Sequence, residues 1–284
     1  MSIQLLGPLS VSLNGVPIMP GAAKQRQVLA LMALNAGRVV TVSTLVEELW
    51  GDSPPPSAAT TLQTYILELR KRMAAAMGPG EDPKRVLVTR HDGYLLAADA
   101  RQIDVQEFAR LTRAGRAAAE GGDHRLAAEL FGRALALWRG PAFVDVRVGR
   151  VLELEAMALE EARLAALGRR IDSDLALGRH ADLIGELSAL VARHPMNESF
   201  FAQLITALYR AGHIGRALQE FQRLRNSLID ELGVEPSSRL QRLHQAVLSR
   251  DPALDTPAPS SRPASPLPRR NCGRPHRRPL DRRS

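Results

Sequence analysis

The chain opens with short apolar stretches and passes to helical spacing near residue 22. Ile3 to Leu6 and Leu9 to Leu13 run apolar or alternate, with Gly7-Pro8 between them and Asn14-Gly15 behind, which predicts a small antiparallel sheet. From Ala22 to Asn35 the apolar residues Val28, Leu29, Leu31, Met32 and Leu34 form a helical stripe, and Gly37 stands at a C′-like position. Thr41 sits where an N-cap belongs, ahead of Leu45, Val46, Leu49 and Trp50, and the run Gly51-Asp52-Ser53-Pro54-Pro55-Pro56 forbids continuation of that helix. Ser57 can cap a third helix, expected to reach about Met77. Its core face should hold Leu62, Tyr65, Ile66, Leu69 and Met73, because steps of three and four residues return to one side.

That core face fixes the outward one. At about 100° per residue, Thr60, Thr64, Leu67 and Lys71 point away from the core, with Gln63 and Arg70 on one flank and Thr61 and Glu68 on the other. Short hydrogen-bonding side chains at the N-terminal end suit base edges, and Arg70, Lys71 and Arg72 at the C-terminal end suit phosphates. A plainly solvated helix face would carry the same residue types. The next segment adds information: Arg85-Val86-Leu87-Val88-Thr89-Arg90 and Tyr94-Leu95-Leu96 flank His91-Asp92-Gly93, which reads as a hairpin with a three-residue connection, Gly93 at positive φ and Arg90 at the tip. Three helices followed by this hairpin within residues 1–98 describe a winged helix-turn-helix, a fold that lays one helix in the DNA major groove and a hairpin on the backbone beside it.

Residues 99–250 read differently. From Ile103 to about Arg250 the chain is helical, Ala- and Leu-rich, and broken at short polar turns. Gly178 and Gly212 lie 34 residues apart, the period of a tetratricopeptide repeat. Gly122 is followed by Ala127, Phe131 and Ala134, Gly178 by Pro195, and Gly212 by Ala217 and Phe221, at the offsets where that repeat places its small, aromatic and proline residues. About three helix pairs would make a superhelical body, with a plain helical bundle as the alternative. Trp138 is expected in the core. The fold class expected overall is mainly α with small β: an N-terminal winged helix-turn-helix domain, then an all-α tetratricopeptide-like helical repeat domain.

The net charge of +8 does not by itself argue for nucleic acid. Residues 1–100 carry 9 Lys/Arg against 8 Asp/Glu, residues 101–250 carry 21 against 19, and residues 251–284 carry 8 against 3, so the excess lies in the tail. That tail is Pro/Ser/Ala-rich and then basic from Arg269 to Arg283, and is expected to be disordered, adding at most non-specific DNA affinity. One cysteine, Cys272, excludes a disulfide framework or a thiolate metal site within the chain, and the seven histidines have no metal-ligand spacing. No nucleophile elbow or phosphate loop organises the polar residues, so no catalytic residue, metal or cofactor is assigned. No apolar run reaches a membrane span and no signal peptide precedes the fold, which points to the cytoplasm.

The stretches Leu5-Leu6-Gly7-Pro8-Leu9, Lys24-Gln25-Arg26, Leu45 to Gly51, Leu62-Gln63-Thr64-Tyr65 and Gly93-Tyr94-Leu95-Leu96 resemble the OmpR-type winged helix of the Streptomyces antibiotic regulatory protein family. Ala136 to Pro141 and Asp230 to Pro236 resemble signature stretches of its bacterial transcriptional activation domain, so the resemblance covers about residues 3–250. It implies a nucleoid-associated transcription activator of secondary-metabolite genes that binds direct repeats in double-stranded promoter DNA, as a homodimer on the DNA, and recruits RNA polymerase holoenzyme. Carried onto this sequence, it puts the recognition helix on Ser57 to Met73 and its polar readers on Thr60, Gln63, Thr64, Arg70 and Lys71. It puts the wing on Thr89 to Tyr94, and Lys24 and Arg26 at the opening of the first helix, where an N-terminus can approach phosphate. Leu67 and Glu68 depart from the polar or basic pattern. Leu67 suits a thymine methyl, and Glu68 would repel phosphate unless it pairs with Arg72 at i+4. Longer family members continue into a nucleotide-binding ATPase domain, and no Gly-x4-Gly-Lys-Ser/Thr loop occurs here, so the chain reads as a small member or a truncated form of a larger regulator. A helical-repeat protein-interaction scaffold is the other reading that these residues leave open.

Overall fold

The computed structural model describes residues 1–255; the basic segment from Arg269 to Arg283 lies outside them. The first sheet is the antiparallel order β1 (Ser2–Gln4), β2 (Ser10–Leu13), β3 (Val16–Pro17). Asn14 and Gly15, at φ of 51° and 80°, supply the left-handed pair that a two-residue hairpin loop needs between β2 and β3. Helix α1 (Ala23–Leu34) follows, then β4 (Val39–Thr41) and α2 (Val42–Trp50). The N-cap expected at Thr41 is present, its hydroxyl accepting from the Thr44 amide at 3.2 Å. Ser57 precedes α3 (Ala58–Ala75), but its side chain caps nothing.

The hairpin differs from the sequence reading. Strands β5 (Leu87–Arg90) and β6 (Gly93–Leu96) pair with Arg90 opposite Gly93, so the connection is the two residues His91 and Asp92, and Gly93 has no positive φ. The glycine answers a demand for space. β4 pairs with the other edge of β6, giving the antiparallel order β4-β6-β5, and a Cβ on Gly93 would lie 2.0 Å from the Val40 carbonyl oxygen.

The second half of the described chain is three helix pairs and a closing helix: α4 (Asp104–Glu120) with α5 (His124–Leu135), α6 (Arg150–Ala176) with α7 (His180–Arg193), α8 (Glu198–Arg210) with α9 (Ile214–Leu232), then α10 (Ser238–Ser249). One turn closes each pair. Gly122, Gly178 and Gly212 take φ of 80°, 80° and 81°, and the amides of Asp123, Arg179 and His213 reach back to the carbonyls of Ala118, Asp174 and Leu208. This is the Schellman closure, which needs a left-handed residue. Ala127, Phe131, Ala134, Ala217 and Phe221, singled out by their offsets from these glycines, are buried. Trp138 is also buried, edge-on to Phe108 at 5.6 Å with the Arg163 guanidinium 4.8 Å above its ring. The repeat body continues past residue 250, since Arg210 donates to the Leu254 carbonyl at 2.7 Å, so residues 251–255, expected to be disordered, are packed onto it.

The two halves interpenetrate. The winged-helix core takes in Ile103, Phe143, Val146 and Leu152, while Leu6 is buried with Phe108, Leu111 and Phe131 of the first helix pair. Polar groups fix the junction. Glu48 on α2, 2% exposed, accepts from the Gly149 amide at 2.6 Å and the Leu152 amide at 2.9 Å at the start of α6, and from the Gln27 amide nitrogen at 2.8 Å. Asp104, at the start of α4, accepts from the amides of Leu5 and Leu6 at 2.8 and 3.0 Å. Burial pushes the Asp104 carboxyl above the ordinary range, against the pull of those donors and of Arg139.

Removing a buried acceptor strands its donors in a place water does not reach. Glu48→Ala is therefore expected to destabilise the protein by about 3 kcal/mol in urea unfolding, with a smaller loss for Glu48→Gln. Gly93→Ala should cost a comparable amount, about 2–3 kcal/mol, and separate β4 from β6, seen as faster amide exchange at Val40.

Candidate nucleic-acid interface

Helix α3 buries Ala58, Leu62, Ile66, Leu69 and Met73 and holds Tyr65 half-buried. Thr60, Gln63, Thr64, Leu67 and Lys71 are exposed on the opposite side, and Thr61, Glu68 and Arg70 are half-buried at its edges. Inward steps of four, four, three and four residues leave one outward face running the length of the helix. Along it the side chains of Thr60 and Gln63 make no hydrogen bond among the described residues. The Thr64 hydroxyl donates to the Thr60 carbonyl at 3.1 Å, which leaves its oxygen free to accept. Leu67 stands 52% exposed in the middle of this polar surface.

The cations at the far end of α3 have separate roles. Lys71 is paired with Glu68 at 2.7 Å, so the partner of that carboxylate is the residue at i+3 and not Arg72 at i+4. Arg72 turns the other way and donates to the Met19 carbonyl at 3.2 Å. Arg70 reaches across to the hairpin, its guanidinium donating to the Leu87 carbonyl at 3.0 and 2.7 Å and to the Thr89 hydroxyl at 2.8 Å. These bonds clip the first wing strand to α3. Arg90 ends that strand exposed, next to the exposed pair His91 and Asp92.

The structure takes Lys24 and Arg26 to the domain junction. The Lys24 ammonium lies 4.5 Å over the Trp50 ring and lines a cleft with Arg147 and Arg150, two cations from the loop before α6 and its first turn. Arg26 bonds the Asp145 carboxylate at 3.2 Å and the Pro20 carbonyl at 3.4 Å. Neither Arg147 and Arg150 beside Lys24 nor the clip made by Arg70 had a signal in the sequence, because each depends on a partner distant along the chain.

An amphipathic three-helix unit, a three-stranded wing clipped to its third helix, and a helical-repeat body locked onto both define a winged-helix transcription regulator. The comparisons agree on both halves. A family model described as "Transcriptional regulatory protein, C terminal" matches residues 19–96, and one described as "Bacterial transcriptional activator domain" matches residues 103–248. The regulatory protein DnrI of Streptomyces peucetius is 50% identical over 261 residues, covering 91% of this chain and 96% of that one. The transcriptional regulator RedD of Streptomyces coelicolor is 38% identical over 258 residues, covering 91% and 73%. Among solved structures, Mycobacterium tuberculosis EmbR in complex with a low-affinity phosphopeptide superposes with a TM-score of 0.82 at 35% identity, covering 88% of this chain and 65% of that one. The chain belongs to the Streptomyces antibiotic regulatory protein family, and it is a transcriptional regulator. Among the described residues no helix is long and apolar enough to cross a membrane.

If Arg70 positions the wing, Arg70→Ala should leave α3 folded while amide exchange in Leu87 to Arg90 rises about tenfold, equal to about 1.4 kcal/mol of lost local stability. Arg72→Ala should not change wing exchange.

Proposed function

We propose that the protein activates secondary-metabolite biosynthesis genes by laying α3 in the major groove of direct repeats near their promoters and recruiting RNA polymerase holoenzyme. The observation that carries this reading is the outward face of α3, where Thr60 and Gln63 without internal partners and Thr64 with an oxygen left to accept stand beside one exposed leucine and a hairpin fixed at its root. Thr60, Thr61, Gln63 and Thr64 are the short donors and acceptors suited to base edges, with Gln63 able to pair bidentately with adenine. Leu67 suits a thymine methyl, which accounts for an apolar side chain on that surface. Lys71 and Arg90 are the phosphate contacts. Lys71 must trade Glu68 for phosphate, and exposed ion pairs of this kind are weak, about 0.2–1 kcal/mol. Arg70 acts through the wing that it positions, and Arg72 and Arg26 through local structure. Lys24, with Arg147 and Arg150, lies further from the chemistry of base reading.

Direct repeats place two protomers head to tail. The helical-repeat half, locked to the DNA-bound half by Glu48 and Asp104, then faces the promoter in a fixed orientation, suited to holding polymerase. On this reading the protein works in the cytoplasm, on the nucleoid.

Footprinting upstream of the neighbouring biosynthetic genes at two salt concentrations tests it. Wild type should protect spaced direct repeats. Gln63→Ala should relax preference at one base pair by about 1–3 kcal/mol, and Lys71→Ala should weaken all sequences alike and lower the salt slope by about one. Coating without a boundary, equal in wild type and variants, would defeat the reading and favour an interaction scaffold.

A further inference from the structure

One face of α6 runs from Leu154 through Met157, Glu161, Ala165 and Gly168 to Asp172, in steps of three and four residues. Its first part is bare, with Leu154 and Met157 58% and 61% exposed. Its later part is one wall of a groove whose other walls are α8 and the start of α10. Two recesses of about 590 and 330 Å³ make up this groove, joined where both touch Asp172 and Gln203. Glu161 lies at one end, exposed and with no ion-pair partner among the described residues. The chain itself arrives at the other end. There the Arg210 guanidinium donates to the Leu175 carbonyl at 2.9 Å and to the Leu254 carbonyl at 2.7 Å, so the last turn of α6 and residue 254 share one side chain. Leu254 also packs against the core that holds α8. Residues 256–284 therefore start from the mouth of the groove.

We propose that the chain fills this groove with its own next segment, residues 256–268 lying along it from Arg210 to Glu161 and Arg262 meeting the Glu161 carboxylate. Composition, reach and charge choose this occupant. Pro257, Pro259, Pro263, Pro266 and Pro268 favour the extended polyproline II form, which offers its carbonyls to donors on a groove wall. The exposed Ser199, Arg169 and Arg239 are such donors, and they flank the uncharged part of the segment, so the two cations meet carbonyls and no like charge. From residue 255 to Arg262 the polyproline II rise of about 3.1 Å per residue covers about 22 Å, and the helical rise of about 1.5 Å sets Glu161 about 21 Å from Leu175. Arg262 is the one charged residue between 256 and 268, and it comes level with the unpaired acid. Beyond it Leu267, the one large apolar side chain of the segment, comes within reach of the exposed Met157 and Leu154. With its own segment in place, the groove is closed to any other extended peptide.

Bis-maleimide crosslinking of the full chain in a Cys272→Ser background tests the path. Ser260→Cys should join Ala165→Cys within one chain, at a rate independent of protein concentration. It should join Leu177→Cys far more slowly, although residue 177 is nearer the point where the segment leaves, because that residue stands on the opposite side of α6. Glu161→Arg should slow the 165–260 crosslink by about twofold to fivefold, the range an exposed ion pair supplies, and adding Arg262→Glu should restore it. A faster crosslink to residue 177 than to residue 165 would overturn the proposal, since a segment swinging free meets the nearer thiol first. So would a 165–260 crosslink that forms only between two chains, which would make a second copy's segment the occupant, or one indifferent to both charge reversals. Base reading by α3 does not depend on this groove, so a footprint unchanged in Glu161→Arg leaves the two questions separate.

Discussion

A buried carboxylate has to be met by donors, and Glu48 finds its donors on both sides of the domain junction. Gln27 comes from α1, while the Gly149 and Leu152 amides come from the start of α6, 101 and 104 residues further along the chain. Leaving any of these groups unpaired inside the protein would cost more than most single contacts return. The geometry that satisfies Glu48 therefore fixes where α6 begins. The same logic recurs around the junction. Asp104 from the helical half accepts the amides of Leu5 and Leu6, and Asp145 accepts the amide of Leu9 at 2.7 Å. In each case an acidic side chain of one half satisfies backbone donors of the other, so neither half completes its own hydrogen bonding without its neighbour. Close approach follows: a Cβ on Gly149 would sit 2.0 Å from the Glu48 carbonyl oxygen, and one on Gly7 would sit 2.9 Å from the Arg139 Cβ.

This arrangement leaves α3 outside the junction. α1, α2 and the Leu5–Leu9 segment hold the helical half, while the polar side of α3 and the wing face away from their own core. The division follows from composition. Acidic residues that accept backbone amides lie at the junction, together with Lys24, Arg26, Arg147 and Arg150, and hydroxyls, an amide, a leucine and the Lys71–Glu68 pair lie on the open face. Arg70 is the exception to a simple division, because a cation on α3 is used to hold the wing.

What the sequence made legible was local. The Thr41 cap, the inward stripe Leu62-Ile66-Leu69-Met73 and the glycines at 122, 178 and 212 each depend on residues within a few positions, and each is found where spacing put it. β4 was not legible, because three residues, the last of them the N-cap itself, are too few to show alternation. Gly93 was found but its role was misread. A glycine in a turn-like string suggests positive φ, and only the presence of β4 shows that the missing side chain makes room for a strand. Ser57 has the right chemistry for a cap and does not act as one. Glu68 had two cationic neighbours within reach and took Lys71, since Arg72 was held by the Met19 carbonyl, a partner that sequence spacing does not register. Glu48 carried no signal at all: a glutamate on a short helix reads as surface until its donors arrive from α6.

Helix α6 begins inside the winged-helix core with Leu152 and ends inside a separate core with Ile171 and Leu175. A single unbroken helix of 27 residues, about 40 Å long, thus spans two cores with no loop between them. Proteins built from domains on a linker bend at the linker, where a few backbone torsions absorb the motion. Here no such joint lies between the winged-helix core and the last two helix pairs. Tilting one against the other has to flex the hydrogen-bonded cylinder itself, so the molecule is stiff along this axis in the manner of a beam, and a push at one end arrives at the other as displacement rather than being lost in a hinge.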